Sequence, residues 1–346
     1  MPDGYKLYSI IVPSYNRKEE IKELLDSFRC LDFPSDRFEL IIVDDGSTDG
    51  TDIFIDSLKS KVKFNIKFIH QKNKGPGAAR NKGAEIASGD FYIFVDSDCT
   101  VHPFWLKKID EALKTQTAQS FGGPDSFKWD FPPLLKAINY SMTSFITTAG
   151  LRGREGKKLA KYYPRSFNMG LSKTLFNKIG GFGSLRHGQD IEFSNRIIKN
   201  GANVIFVADA VVYHKRRTNL LKFFRQVFNW GVARVNLYKI DPTMLEFLHV
   251  APALATLAVF LTIMATFIFS DGWYISRWLF VCGLLGLFLS GLPAAFKYKS
   301  LKVFFLALLV MPIQIIGYGL GFIFAFINRV ILGRPEFVGF KKRYYI

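Results

Sequence analysis

Apolar, β-branched and aromatic residues gather into short runs at residues 8–12, 38–43, 66–69 and 91–95. Between them, residues 19–28 and 53–58 carry apolar positions at helical spacing. Strands alternating with helices predict an α/β fold, with a mostly parallel sheet covered by helices on both faces. Ligands of such sheets bind beyond the carboxyl ends of the strands. Further along, 172–179 reads as a helix closed by Gly180-Gly181 and 189–199 as one closed by Gly201. Residues 204–207 read as a strand, and Val211-Val212-Tyr213 as another that leads to His214.

The pattern changes near Glu246. Three apolar segments follow, 247–269, 278–296 and 303–327, and from Phe247 onward the acidic residues are Asp271 and Glu336. Each segment has about the 20 residues needed to cross a hydrocarbon core. Residues 219–239 mix Leu220, Phe223, Phe224, Val227 and Trp230 with basic side chains, which suits a helix lying in a membrane interface or one packed on the sheet. The expected organisation is a catalytic domain over 1–214, a basic interface region over 215–246, membrane helices over 247–333 and a basic tail over 334–346.

Charge sharpens this division. The formal net charge is +17. Residues 152–165 hold Arg152, Arg154, Lys157, Lys158, Lys161 and Arg165 against one acid. Residues 215–239 hold Lys215, Arg216, Arg217, Lys222, Arg225, Arg234 and Lys239 against none. The second stretch abuts the apolar region, so lipid phosphate is the expected partner and nucleic acid is not. Cys30, Cys99 and Cys282 have neither disulfide-framework nor zinc-ligand spacing. The N-terminus enters a strand pattern without a basic region and long apolar stretch, so the first domain is expected on the cytoplasmic side of the cell membrane.

Acidic and turn-forming residues cluster at the predicted strand ends: Pro13-Ser14-Tyr15-Asn16, Asp44-Asp45-Gly46-Ser47 and Asp96-Ser97-Asp98. In extended chain Asp96 and Asp98 point the same way, and two such carboxylates repel unless a cation joins them. Oxygen ligands suit Mg2+ or Mn2+ bridging to a substrate diphosphate. Asp44 can accept from a nucleobase or ribose, and as a bland alternative the Asp44-Asp45 turn only caps the next helix. In 73–84, small residues allow close approach of a ligand, and Arg80 offers a cation to a leaving phosphate. His214 admits two readings, as a ligand to the metal or diphosphate and as a structural residue.

The order and spacing of these motifs resemble family 2 of the glycosyltransferases, which has a GT-A fold. The resemblance rests on Val12-Pro13-Ser14-Tyr15-Asn16, Val43-Asp44-Asp45-Gly46-Ser47-Thr48-Asp49, Gly77-Ala78-Ala79-Arg80-Asn81-Lys82-Gly83 and Val95-Asp96-Ser97-Asp98. It continues through Asn168-Met169-Gly170-Leu171, Gly180-Gly181-Phe182 and Gly188-Gln189-Asp190, and spans about residues 7 to 240. It implies a donor-nucleotide site drawn from Pro13, Tyr15, Asn16, Asp44, Asp45, Arg80, Asp96 and Ser97. Asp96 and Asp98 would hold the metal and Asp190 would be the catalytic base, although Asp190 also reads as the N-cap of its helix. Asn168, Gln189, Gln226 and Trp230 are candidates for an acceptor or sugar pocket.

Two departures refine the expectation. Gln189 stands where the family usually has Glu, while the catalytic carboxylate Asp190 remains. Gln226-Val227-Phe228-Asn229-Trp230 lacks the Arg of the Gln-x-x-Arg-Trp motif of processive synthases, which favours transfer of one sugar. The expected reaction is inverting transfer from a nucleotide sugar to a membrane-embedded, polyprenyl-diphosphate-linked acceptor in glycan or exopolysaccharide assembly. A polyprenyl-phosphate sugar synthase is the alternative; a sugar nucleotidyltransferase and a non-catalytic nucleotide-binding scaffold are rivals of other classes. If the chain crosses the membrane three times, Arg329, Arg334, Lys341, Lys342 and Arg343 fall on the outer side, against the positive-inside tendency. Otherwise the last segment, carrying Pro312, Gly317, Gly319 and Gly321, turns back.

Overall fold

The computed structural model describes residues 7–58, 61–126, 131–148, 162–214, 219–268 and 272–340. Of the basic residues singled out above, Arg152 to Lys161, Lys215 to Arg217 and Lys341 to Arg343 lie outside the described residues, as does Asp271. The chain forms two compact units, one from the described residues up to 126 and from 163 to 214, the other from 131–148, 162 and 219 onward. The second unit therefore takes in a stretch that sequence order places inside 1–214.

In the first unit, β1 (Tyr8–Ser14) is flanked by β2 (Phe38–Asp44) and β4 (Phe91–Phe94), with β3 (Asn65–His70) beyond β2. All three of these contacts are parallel. The sheet continues beyond β4 through β8 (Met169–Ser172), β6 (Ser120–Gly122) and β9 (Val204–Phe206). β8 runs antiparallel to both β4 and β6, so the sheet is mixed. β1 and β2 are buried along their whole length, as strands covered on both faces must be. Alternation then splits the apolar residues into two cores. Tyr8, Ile10 and Val12 face α1 (Lys18–Arg29) and α4 (Trp105–Gln116), while Ile11, Ile41 and Val43 face α3 (Pro76–Glu85), α7 (Lys173–Ile179) and α8 (Gln189–Lys199).

Register fixes where the chemistry lies. Ser14 pairs with Asp44, and Asp44 with His70, so the parallel strands end level at one edge. A second, three-stranded sheet joins β5 (Cys99–Val101), β10 (Val212–His214) and β7 (Asp125–Ser126). In it His214 lies opposite Cys99. α2 (Thr51–Leu58) completes the unit.

The second unit contains α5 (Pro133–Thr143), α6 (Phe145–Thr148), α9 (Leu220–Ile240), α10 (Phe247–Ile268), α11 (Gly272–Tyr298) and α12 (Leu301–Phe326). α10, α11 and α12 with its following turn are each long and apolar enough to cross a membrane. α12 runs through Pro312 and its glycines without a break, so these residues do not turn the segment back by breaking the helix. The glycines serve contact instead: a Cβ on Gly321 would lie 2.0 Å from the Phe228 carbonyl oxygen, and one on Gly231 would lie 2.1 Å from that of Tyr318. Small residues at such points let two helix backbones approach closely. α9 is thus packed against α12 and buried on all sides from Gly231 to Leu237, while Leu221, Lys222 and Arg225 in its first half stay exposed.

Candidate active site

The level edge of the parallel strands carries four acidic residues, Asp44, Asp45, Asp96 and Asp98, of which Asp44, Asp96 and Asp98 are engaged by basic side chains. At the end of β2, the buried Asp44 accepts from the Ser47 amide at 3.1 Å and from the Ser47 hydroxyl, and its other partner is His70 Nδ1 at 2.7 Å. The His70 ring is itself largely exposed, which leaves this corner open to a ligand. Asp45 is committed to the protein: Gln71 Nε2, the Lys74 amide and the Gly75 amide donate to its two oxygens at 2.7, 2.9 and 2.7 Å. Those bonds hold the loop that launches α3, where Gly75 takes φ +89°. Asp45, expected to contact a nucleotide, is buried and spends three hydrogen bonds on holding this loop. Pro13 is likewise buried inside β1, level with Val43. Asn16, at φ 50°, receives the Thr48 amide on its side chain at 2.8 Å and gives its own amide to Ser47 at 2.7 Å, so it braces two strand-end loops. Tyr15 stays half-buried beside it.

Beyond β4 the chain does not stay extended. The Cys99 amide donates to the Asp96 carbonyl at 3.1 Å and closes a turn over Asp96-Ser97-Asp98, with Ser97 buried in the middle. The two aspartates consequently take different partners. Asp96 Oδ1 receives Arg80 Nη2 at 2.6 Å, and Asp98 lies 3.1 Å from His214 Nε2 and 3.7 Å from Arg17 Nη1. The extended-chain argument for a shared orientation is corrected by this turn. Arg80 is held by its other surroundings too, since its guanidinium covers the Phe182 ring at 5.2 Å.

The donor set at Asp98 suits a divalent ion. Ligand atoms of Asp98, Cys99 and His214 lie within 4.8 Å of one another. Cis ligands of an octahedron with bonds of about 2.1 Å stand about 3 Å apart, close to the Asp98–His214 separation. Carboxylate and imidazole are both ligands that Mn2+ accepts. Cys99 does not belong with them: burial first, and then the charges of Asp98, Asp96 and Asp125, push its thiol well above the ordinary range, so it stays protonated. The residues that fit are Asp98 and His214, with Asp96 one turn away on Arg80.

Asp190 sits in the first turn of α8. The N-cap is Gly188 at φ +84°, not Asp190, so the reading of this carboxylate as a helix cap is corrected. Its oxygen Oδ2 is 3.3 Å from Arg165 Nη1, and the side chain is about a quarter exposed. The neighbouring Gln189 lies over α3, where a Cβ on Gly77 would meet its Oε1 at 2.7 Å. Gln189 thus stands against α3 at Gly77, three residues before Arg80, the partner of Asp96. An open cleft of about 460 Å³ beside it is lined by Asn73, Lys74, Asn81, Leu185 and Arg186, among others. Asn81 fixes the cleft wall by a two-point bond to Phe182, donating to its carbonyl at 2.9 Å and accepting its amide at 2.7 Å.

The acceptor-pocket candidates Asn168, Gln226 and Trp230 divide between the two units. Asn168 has no exposed surface; its amide accepts from Trp105 Nε1 at 3.0 Å and donates to the carbonyls of Ala210 at 2.7 Å and Pro124 at 3.1 Å. It is a structural tie and cannot touch a sugar, which corrects its assignment. Gln226 and Trp230 belong to α9 in the second unit, both half-buried. Sequence reasoning missed Arg17, His70 and Arg165 as partners of the site acids, since each pairing joins distant parts of the chain.

Residues 9–180 match the Glycosyl transferase family 2 domain. Among curated relatives, the poly(ribitol-phosphate) beta-N-acetylglucosaminyltransferase TarS of Staphylococcus aureus is 34% identical over 142 residues, which are 38% of this chain and 25% of TarS. The chain thus spans about a quarter of the length of TarS. The dolichyl N-acetyl-alpha-D-glucosaminyl phosphate 3-beta-D-2,3-diacetamido-2,3-dideoxy-beta-D-glucuronosyltransferase of Methanococcus voltae is 25% identical over 298 residues, covering 75% of this chain and 85% of the relative. Among solved structures, the mannosyltransferase PcManGT from Pyrobaculum calidifontis, in complex with GDP-Man and Mn2+, superposes with a TM-score of 0.65 at 18% identity, over 93% of this chain and 89% of that one. With its strand-end acids on a mixed sheet of GT-A type and this match across 9–180, the chain carries a Glycosyl transferase family 2 domain, followed by three helices apolar enough to span a membrane.

Proposed function

We propose that this enzyme transfers one sugar from a nucleotide sugar to a membrane-embedded, polyprenyl-linked acceptor, with inversion and with Mg2+ or Mn2+ at Asp98 and His214. The observation that carries the reading is the convergence through α3: Arg80 reaches Asp96, and one turn earlier Gly77 admits Gln189, the residue before Asp190. A leaving-group cation and a candidate base are thereby held at one edge. Asp44 and Tyr15 would receive the nucleoside, beside the exposed His70.

In the proposed step, the acceptor oxygen bonds to the anomeric carbon as the bond from that carbon to the diphosphate oxygen breaks. Asp190 takes the acceptor proton, and the leaving nucleoside diphosphate departs with the electron pair. Arg165 keeps the Asp190 carboxylate oriented until the acceptor arrives. Arg80 offers its guanidinium to the leaving group. A bound divalent ion would add positive charge at the same phosphates.

The acceptor class rests on the apolar second unit and on the Methanococcus voltae relative, whose name gives a dolichyl-linked sugar phosphate as its acceptor. Nucleotide sugars are made in the cytoplasm, so the first unit belongs on that side of the cell membrane. The test is release of nucleoside diphosphate by purified protein from a panel of nucleotide sugars, with polyprenyl phosphate and polyprenyl-diphosphate sugar supplied separately. Release with the sugar-bearing lipid supports the proposal. Release with bare polyprenyl phosphate makes the enzyme a lipid-phosphate sugar synthase, and pyrophosphate release from sugar phosphate and nucleoside triphosphate would refute transfer altogether.

A further inference from the structure

The three apolar helices are not equivalent. In α10 and α11 only 11% of the apolar window is buried within the protein, against 44% in α12. From 257 to 268 and from 276 to 287 side chains are exposed or half-exposed on every side, and a Cβ on Gly283 or Gly286 would point into open space. These segments need hydrocarbon all round. α12 needs it on one face: Leu301, Phe305, Leu309, Ile316, Phe324 and Ile327 form an exposed stripe, while the opposite face packs on α5 and α9. There Ser141 donates to Gln314 Oε1 at 2.8 Å, and Gly321 meets Phe228.

The contacts also fix directions. α10 and α11 touch where α10 ends and α11 begins, with Thr266 Oγ1 donating to Ser276 Oγ at 2.8 Å. Toward the other end, Phe304 of α12 stacks edge-on to Phe288 of α11 at 5.2 Å, whereas Gly319 of α12 sits against Pro252 and Thr256 of α10. Phe304 and Gly319 are separated by about 22 Å of helix at 1.5 Å per residue. α10 and α11 therefore diverge from the end of α10 and the start of α11, and α12 closes the base of a triangle. With three corners and two membrane surfaces, two corners must share a surface. The start of α11 carries exposed Trp273, Tyr274 and Trp278, residues that favour a membrane–water boundary. Lys302 stands at the start of α12 and Arg334 in the segment that follows it, both suited to lipid phosphate.

We infer that α10 and α11 are the membrane-crossing hairpin and that α12 lies in the plane of the bilayer interface across its base, its apolar stripe against the acyl chains. The described residues then cross twice. The segment after α12 returns to α9: Asn229 exchanges two 2.9 Å hydrogen bonds with the Phe340 backbone, and Asn236 donates to the Phe337 carbonyl at 2.9 Å. Lys297, Lys299, Lys302, Arg329 and Arg334 all fall on one side, in accord with the positive-inside tendency.

The inference rests on the reading of the second unit as membrane-resident. In full-length protein carrying Cys30→Ser and Cys282→Ser, Lys302→Cys, Tyr274→Cys and Pro335→Cys would be labelled separately with an impermeant maleimide. Right-side-out and inverted membrane vesicles are compared, with detergent giving the total. Lys302→Cys and Pro335→Cys are expected to label in the same vesicle orientation and Tyr274→Cys in the other. Labelling of Pro335→Cys together with Tyr274→Cys, or of Tyr274→Cys together with Lys302→Cys, overturns it. Nitroxides at Phe305, Leu309, Ile316 and Phe324 should report one common depth; a maximum near Ile316 means that α12 crosses. Release of the protein by alkaline carbonate would overturn the membrane reading itself, whereas retention with the wrong sidedness overturns only the inference.

Discussion

His214 Nε2 lies 3.1 Å from Asp98 Oδ1, because β10 runs antiparallel to β5 and sets His214 opposite Cys99, the residue after Asp98. A strand from late in the chain thus supplies the second donor of the proposed metal site. Asp98→Asn and His214→Ala should each weaken manganese-supported binding of nucleoside diphosphate. The loss should reach at least the roughly 10–100-fold seen when even an outer partner of a metal ligand is removed. Titration calorimetry with manganese and with chelator checks this, and equal affinity in the two would remove the metal from the proposal.

Asn168 ties Trp105, Pro124 and Ala210 together from a fully buried position. Asn168→Ala would leave a buried indole N–H and the Ala210 carbonyl without this partner, while the Pro124 carbonyl keeps the Val212 amide at 3.3 Å, at about 1–3 kcal/mol for each group left unsatisfied. Chemical denaturation should show a loss of a few kcal/mol. Protein that remains folded should keep its affinity for nucleoside diphosphate; selective loss of sugar transfer at unchanged stability would return Asn168 to the acceptor pocket.

Glu39, Asp49 and Asp110 govern acid stability. Burial works to raise all three carboxyls, but hydrogen bonds and neighbouring cations outweigh it and hold them below their ordinary values. The partners are Lys67, Ser9 and the Ser88 amide for Glu39, Thr51 and the Lys18 amide for Asp49, and Lys114, Tyr8 and Arg37 for Asp110. The unfolded chain therefore takes up these protons first as pH falls. Their contribution should be complete above about pH 5 and drain away below about pH 4 as pH drops through the lowered folded values. Unfolding midpoints between pH 7 and 3 should fall accordingly, and Glu39→Gln should flatten the fall; an unchanged slope would contradict the assignment.

Gly231 faces Tyr318 and Phe322 at backbone distance. Gly231→Leu should separate α9 from α12, lowering the thermal midpoint of the detergent-solubilised protein, while Gly283→Leu, on the open side of α11, should not. Equal midpoints for the two variants would mean that the close approach contributes nothing.

The sequence disclosed what short-range pattern can carry. The four parallel strands, the helices at 18–29, 51–58, 173–179 and 189–199, and the acids at the ends of β2 and β4 were visible from period and turn residues. β5, β6 and β7 were not, being two or three residues long and therefore too short to show a period. The Asp96–Asp98 turn escaped because alternation was extended one turn past the end of β4. Asn168 looked chemical in its motif, yet its role depends on Trp105 and Ala210, brought to it only by the fold. The same is true of Arg165 beside Asp190 and of α5, whose apolar residues pair with helices far along the chain.

Asp190 tests the central claim most directly. Gly188 caps α8, so Asp190→Asn should leave the helix start, the fold and nucleoside-diphosphate affinity nearly unchanged. As the proposed base, it should lose roughly 100- to 10,000-fold in sugar transfer. The decisive measurement is the rate of nucleoside-diphosphate release with donor and lipid-linked acceptor present, for wild type and Asp190→Asn at matched thermal midpoints. A collapse of that rate with donor binding intact is the predicted result, and an Asp190→Asn rate equal to wild type would contradict the account.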